Sequence, residues 1–126
     1  MKSLEEILKQ PPVFLHNFSD KEDVATSFRP YDGNTSAKDI LNGRNFLFAS
    51  YGEDNWSGDA FVLFEENGKL YEVFGSHCSC YGLEGQFDPS ETTLEALKLA
   101  LDGGSFGHDT WSGNEFANEL RDFIGA

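Results

Sequence analysis

The residues best suited to chemistry lie in one short run, Gly75-Ser-His77-Cys78-Ser-Cys80-Tyr-Gly82. A soft cation such as zinc takes four Cys and His ligands. His77, Cys78 and Cys80 supply three candidates, and His16 or His108 would have to supply the fourth. Adjacent side chains diverge, so a metal site on His77, Cys78 and Cys80 is the alternative reading and no cofactor is the first. A nucleophilic thiol needs a base within hydrogen-bond reach and donors for an oxyanion. Adjacency of His77 to Cys78 does not provide that geometry, and nearby acids are expected to raise a thiol pKa. The expectation is therefore a tight loop of small residues packed against a sheet, with no catalytic residue assigned.

Other arrangements are weaker. Carboxylates pair at Glu5/Glu6, Glu53/Asp54 and Glu65/Glu66. Glu53, Asp54, Asn55 and Asp59 lack the EF-hand spacing for calcium. Gly103-Gly104 lacks the lysine and preceding strand of a phosphate loop. An internal echo, D-x-W-S-G-x-x-F, occurs at 54–61 and 109–116. The first copy should precede a strand and the second a helix, so we read the echo as coincidence. The functional alternative is a binding edge made of two exposed tryptophan loops, around Trp56 and Trp111.

The elements that must position these residues are marked by their punctuation. Ser3-Leu-Glu-Glu6 fits a capping box opening a helix that Pro11-Pro12 stops. Ser19 to Glu22 is a second box, ended by Pro30, and Ser36 to Asp39 a weaker third, ended near Gly43. The period then changes. Residues 45–51, 59–65 and 69–74 read as strands. Asn67-Gly68 is a favoured two-residue hairpin turn. It sets Phe64 opposite Tyr71 and Val62 opposite Val73 on one face. Phe61 with Phe74, Leu63 with Glu72 and Glu65 with Leu70 make a mixed second face, expected to be partly open. Thr92 to Glu95 and Ser112 to Glu115 read as boxes for two last helices. Leu97 and Leu101 point inward from one; Phe116, Leu120, Phe123 and Ile124 form the stripe of the other. The expectation is one α+β domain over 1–126: a three-stranded antiparallel meander, with room for a fourth strand, and helices from both terminal segments.

The 126 residues include 39% hydrophobic and 14% aromatic side chains, twelve of them Phe, enough to build a core without a covalent staple. The net charge is −13, from 22 acids and 9 bases. From residue 70 onward ten acids face only Lys98 and Arg121, a net −8. Such a field opposes direct contact with nucleic acid or anionic membrane. It serves solubility first. As a functional face it would suit a partner protein with a basic surface, and Glu53, Asp54, Trp56, Trp111, Glu84, Asp88 and Glu91 are the candidate binding residues. The two cysteines stand one residue apart, a strained spacing for a disulfide, so a reducing compartment is expected. The first residues do not read as a signal peptide, and no run approaches the roughly 18 apolar residues of a membrane span.

The run from Ala49 through Val73, Gly75-Ser-His-Cys-Ser-Cys-Tyr-Gly-Leu-Glu-Gly-Gln86 and Pro89-Ser-Glu-Thr-Thr93 resembles a group of small uncharacterised proteins encoded by bacteriophages and prophages. The H-C-S-C-Y-G-L-E string is its specific part; Phe87 stands where tryptophan is expected. The group brings no activity with it. The resemblance implies expression in a bacterial cytoplasm and a role with or against host machinery, so a host protein is the expected partner.

Overall fold

The computed structural model describes residues 1–54, 56–109 and 113–126, apart from the Asp109 side chain. Its elements are α1 (Leu4–Leu8), β1 (Val13–His16), α2 (Lys21–Phe28), α3 (Ala37–Leu41), β2 (Asn45–Tyr51), β3 (Gly58–Glu66), β4 (Lys69–His77), β5 (Ser90–Thr92), α4 (Leu94–Asp102), β6 (His108–Asp109), β7 (Asn114–Glu115) and α5 (Ala117–Ile124). The chain is α+β. Its main sheet has five strands in the order β1-β2-β3-β4-β5, and β6 pairs with β7 in a separate two-stranded ribbon. Strand β1 lies parallel to β2, and α2 and α3 form the crossover that parallel pairing requires. The other neighbours are antiparallel.

The expected hairpin register is present: Glu66 pairs with Lys69, Phe64 with Tyr71, Val62 with Val73 and Phe61 with Phe74. The sheet is nonetheless larger than a three- or four-stranded meander, because of β1 and β5. Strand β1 has only four residues and follows Pro11-Pro12, so it shows no period of its own. Strand β5 is the polar tripeptide Ser90-Glu91-Thr92, a short charged edge of the kind that blunts further pairing.

Helices pack on both faces of the sheet, and the second face is open only in part, at Phe74. On one face Ala49, Ala60, Val62, Phe64 and Val73 pack with Val24, Ala25 and Phe28 of α2, Ile40 of α3, and Leu83. On the other, Phe48, Phe61 and Leu63 pack with Ile7 of α1, Leu97 and Leu101 of α4, and Leu120, Phe123 and Ile124 of α5. A bulge between Phe46 and Phe48 inserts Leu47. Phe46 thereby joins the first cluster while Leu47 and Phe48 join the second. Phe74 alone keeps a large exposed ring on β4, at 55% exposure.

The capping boxes of α1 and α3 form as read. Three other starts shift. Asp20, not Ser19, caps α2, accepting from the Asp23 amide at 2.7 Å. Thr93, not Thr92, caps α4 because Thr92 pairs with Leu70 in the sheet. Helix α5 starts at Ala117, since Asn114 and Glu115 are taken by β7. No described helix is long and apolar enough to cross a membrane.

Register decides what meets at the end of the sheet. Tyr51 pairs with Ala60, and Gly58 with His77. The segment leaving β2 and the segment leaving β4 therefore emerge side by side, opposite the Asn67-Gly68 turn.

Candidate functional site

Two tight turns crown this end. Cys78 and Tyr81 exchange backbone hydrogen bonds of 3.0 and 3.3 Å, leaving Ser79 and Cys80 at the tip. Asp54 and Ser57 do the same at 2.8 and 3.1 Å. Trp56 sits in that second turn at φ 67°, left-handed backbone that a bulky side chain seldom adopts, and its ring is 76% exposed. Glu53 and Asp54 flank it, also exposed. Across the first turn, the Tyr31 hydroxyl donates to Glu84 Oε1 at 2.9 Å. Tyr31 and Tyr81 are 83% and 57% exposed. Tyr31, Cys78, Tyr81 and Glu84 line an open groove of about 530 Å³.

His77 ties the two turns together. Its ring is only 10% exposed, with Nδ1 2.7 Å from Tyr51 Oη and Nε2 3.7 Å from Glu53 Oε2. Burial first, then the charges of Glu53 and Glu84, push the Tyr51 phenol up to about 12. The phenol and Nδ1 share one hydrogen bond, and the other ring nitrogen faces Glu53. This arrangement clamps β2 to β4 and orients Glu53. It leaves His77 with no nitrogen directed at the thiols.

Cys78 differs from expectation. Cys78 Sγ accepts the Cys80 backbone N–H at 3.3 Å. That donor, helped by the Tyr81 amide and Cys80 side chain and opposed by burial, holds the Cys78 thiol below its ordinary value. Local N–H donors act directly on the sulfur and outweigh burial. Both thiols are free. Among the described residues no three His, Cys, Asp or Glu side chains are grouped to hold a metal ion, so His77, Cys78 and Cys80 are not gathered around one point. Of the possible fourth ligands, His16 Nε2 lies 2.7 Å from the Glu115 carbonyl oxygen.

The candidate binding residues divide. Glu53, Asp54 and Trp56 share one turn, and Glu84 lines one groove with His77. Glu91 pairs with Tyr71, six residues back along β4 from His77, which at about 3.3 Å per residue is roughly 20 Å away. Asp88, exposed, precedes that strand. Trp111 lies outside the described residues. Tyr31, Tyr51 and Tyr81 were not anticipated; only Tyr81, inside the cysteine run, carried a signal in the sequence.

The two copies of the internal echo touch. Phe61 and Phe116, their final residues, stack at 4.9 Å with an interplanar angle of 6°. A side chain on Gly52 would run into the backbone of Gly113 and Asn114. Ser50 Oγ donates to Asn114 Oδ1 at 2.5 Å, both residues buried. Beside this contact, Phe61, Phe74, Phe106 and Phe116 line a second groove of about 450 Å³. The first copy does lead into β3 and the second toward α5, so the likeness is one of packing partners and not of a repeated unit.

No protein-family model, curated protein or solved structure matches this chain.

Proposed function

We propose that this chain is a phage-derived acidic accessory protein of the bacterial cytoplasm that binds a host protein through a basic surface, and that the loop end of the sheet is the contact face. The observation that carries the reading is Trp56. A large ring is displayed to solvent on left-handed backbone, at a cost of roughly 1–2 kcal/mol for the conformation. Large exposed aromatics set among charges are the usual anchors of a protein interface.

Charge supports the same face. Glu53, Asp54 and Glu84 make no ion pair with lysine or arginine among the described residues; Glu53 has His77 Nε2 at 3.7 Å. Carboxylates without such cationic partners, set beside exposed rings, suit lysine and arginine, whose cations pair with the acids and lie over the aromatic faces. A basic groove that ordinarily holds nucleic acid is a target of that chemistry, and occupying it would inhibit a nucleic-acid-binding or defence machine.

The experiment is affinity capture from bacterial lysate on the wild-type chain and on Trp56→Ala and Glu53→Gln/Asp54→Asn variants. Elution is stepped through salt, because the screening length shrinks from about 10 Å at 0.1 M to about 3 Å at 1 M. A basic partner retained at low salt, released at high salt and lost in both variants is expected. Capture of nothing basic, or retention indifferent to salt, refutes the proposal.

A further inference from the structure

We infer that the loop end takes two arginine side chains carried on one short segment of a partner protein, one in each of two adjoining grooves. The inference rests on the reading of this end as a contact face and names what it contacts. The first groove, about 530 Å³, holds Tyr31, Tyr81 and Glu84, with His77 in its wall. The second, about 510 Å³, is lined by Asn17, Glu53, Asp54 and Trp56. Each sets a carboxylate beside a large exposed ring, since Tyr31, Tyr81 and Trp56 all face solvent. No acid of either groove has a lysine or arginine partner among the described residues. Charge and ring together fit a cation in each groove.

The grooves share a wall. His77 lines the first, and its Nε2 stands 3.7 Å from Oε2 of Glu53, which lines the second. The Tyr51 phenol, bonded to the same imidazole, feels the charges of both Glu53 and Glu84. Two acidic sites thus flank one imidazole, close enough for neighbouring side chains of a single segment. On an extended segment residues i and i+2 project from the same face, about 7 Å apart. The first site is also fixed before anything binds. Glu84 accepts from the Tyr31 hydroxyl at 2.9 Å, and the Gln86 amide ties its loop to β4 by donating to the Gly82 and Ser76 carbonyls at 2.7 Å each. Little ordering cost therefore falls on this chain. Arginine suits the grooves better than lysine. Its planar guanidinium lies flat on a ring while its N–H groups fork onto a carboxylate, whereas an ammonium is a compact, strongly hydrated charge.

The test titrates the nitrogen-15-labelled full-length chain with blocked peptides in which one, two or three serines separate two arginines. Backbone amide and indole N–H signals report where each peptide binds. Citrulline, which keeps the shape of arginine without its charge, replaces each arginine in turn. Shifts are expected at both the 53–57 turn and the 81–84 loop. At the best spacing each citrulline should cost at least about three-fold in affinity, the worth of an exposed ion pair with a ring contact. Lysine at both positions should bind more weakly. Glu84→Gln should abolish the citrulline penalty at one arginine, and Trp56→Ala the penalty at the other. Neither side chain belongs to a core cluster, so both variants should fold, as unchanged signals elsewhere would show. Shifts confined to one groove or absent from both, a smaller citrulline penalty at every spacing, or lysine binding as well as arginine overturns the inference. Concentration-dependent shifts of the same amides in the chain alone would assign the face to a second copy and overturn it too. The two readings fail separately. A basic host protein whose capture needs Trp56 but is indifferent to Glu84→Gln leaves the proposed function standing and sinks the arginine pair. Peptides held in both grooves with no host protein captured do the reverse.

Discussion

Gly52 tests whether the two echo segments are locked together as the packing implies. The residue follows β2, is buried, and donates its N–H to the Asp59 carbonyl at 3.1 Å. Its backbone φ lies outside the left-handed range, so alanine is not excluded there by conformation. Space excludes it. An added Cβ would stand 2.5 Å from Asn114 Cα and from the Gly113 carbonyl carbon, against an ordinary contact of 3.4 Å or more. Relief requires the β6–β7 ribbon to withdraw by about 1 Å, and it cannot do so freely. The ribbon is held by the Ser50–Asn114 bond and the Phe61–Phe116 stack. Overpacking of this kind costs about 1–3 kcal/mol. The ceiling is set by releasing the ribbon: about 1–3 kcal/mol for the buried hydrogen bond and about 0.5–1.5 kcal/mol for the ring pair. Gly52→Ala should therefore lose about 2–3 kcal/mol, read as a lower urea midpoint at unchanged slope. Gly85→Ala is the control. That glycine has φ +78° and nothing within 4 Å of an added Cβ, so its cost is conformational, about 1 kcal/mol. A loss at Gly52 below about 0.5 kcal/mol, or no larger than that at Gly85, refutes the claim of a locked contact.

The same contacts and the titrating groups carry further expectations. Ser50→Ala leaves the buried Asn114 carbonyl oxygen without its donor and should cost about 1–3 kcal/mol by urea unfolding. Combined with Gly52→Ala it should cost clearly less than the sum, because both act on one ribbon. Burial raises the Glu72 carboxyl above its ordinary value, so the folded chain holds that proton more tightly than the unfolded chain. The resulting stability is present below the unfolded value and is lost as pH rises through the folded one. Glu72→Gln should then raise the urea midpoint at about pH 7 and leave it unchanged at about pH 3. Asp102 has the opposite sign: hydrogen bonds from Lys98 and then Arg121 hold it below its ordinary value. Its contribution is present above about pH 4 and disappears as pH falls through the folded value, so Asp102→Asn should lower the midpoint at about pH 7 and not at about pH 2.

The parts of the fold legible in the sequence are those fixed by local chemistry. Asn67-Gly68 sets a register nine pairs long, from Glu66 opposite Lys69 to Gly58 opposite His77. Ser3 and Ser36 cap because a carboxylate stands three residues on in each case. Where two capping acceptors compete, the pattern misleads by one residue: Ser19 with Asp20, and Thr92 with Thr93. The outcome there depends on a distant strand, since Thr92 is claimed by Leu70. Strand β1 is invisible locally because its partner, β2, lies about thirty residues away, beyond α2 and α3. The site is half legible. Charge and exposure single out Glu53, Asp54, Trp56 and Glu84, and these gather at one end. Asp88 and Glu91 carry the same charge but hang from β5, toward the other end of β4. Spacing alone makes His77 a partner of the cysteines, yet the register that sets it opposite Gly58 turns it toward Tyr51, a contact no spacing rule shows.

The covered sheet narrows where a partner could attach. A meander with one open face invites association through that face, and the mixed Phe61, Leu63 and Glu65 side is suited to it by sequence. Helices α1, α4 and α5 occupy that side instead, and α2 and α3 the other. Edge pairing is also limited, because β1 offers four residues and β5 three, one of them Glu91. What remains exposed and aromatic among the described residues is Tyr31, Trp56 and Tyr81 at the loop end, and Phe74 in its groove. Of these, the loop end alone joins several rings to carboxylates without a lysine or arginine partner among the described residues. Association through Phe74 would be apolar and strengthened by salt, whereas association through Trp56 and Glu53 would be weakened by it. The sign of the salt dependence therefore tells the two surfaces apart in a binding titration alone.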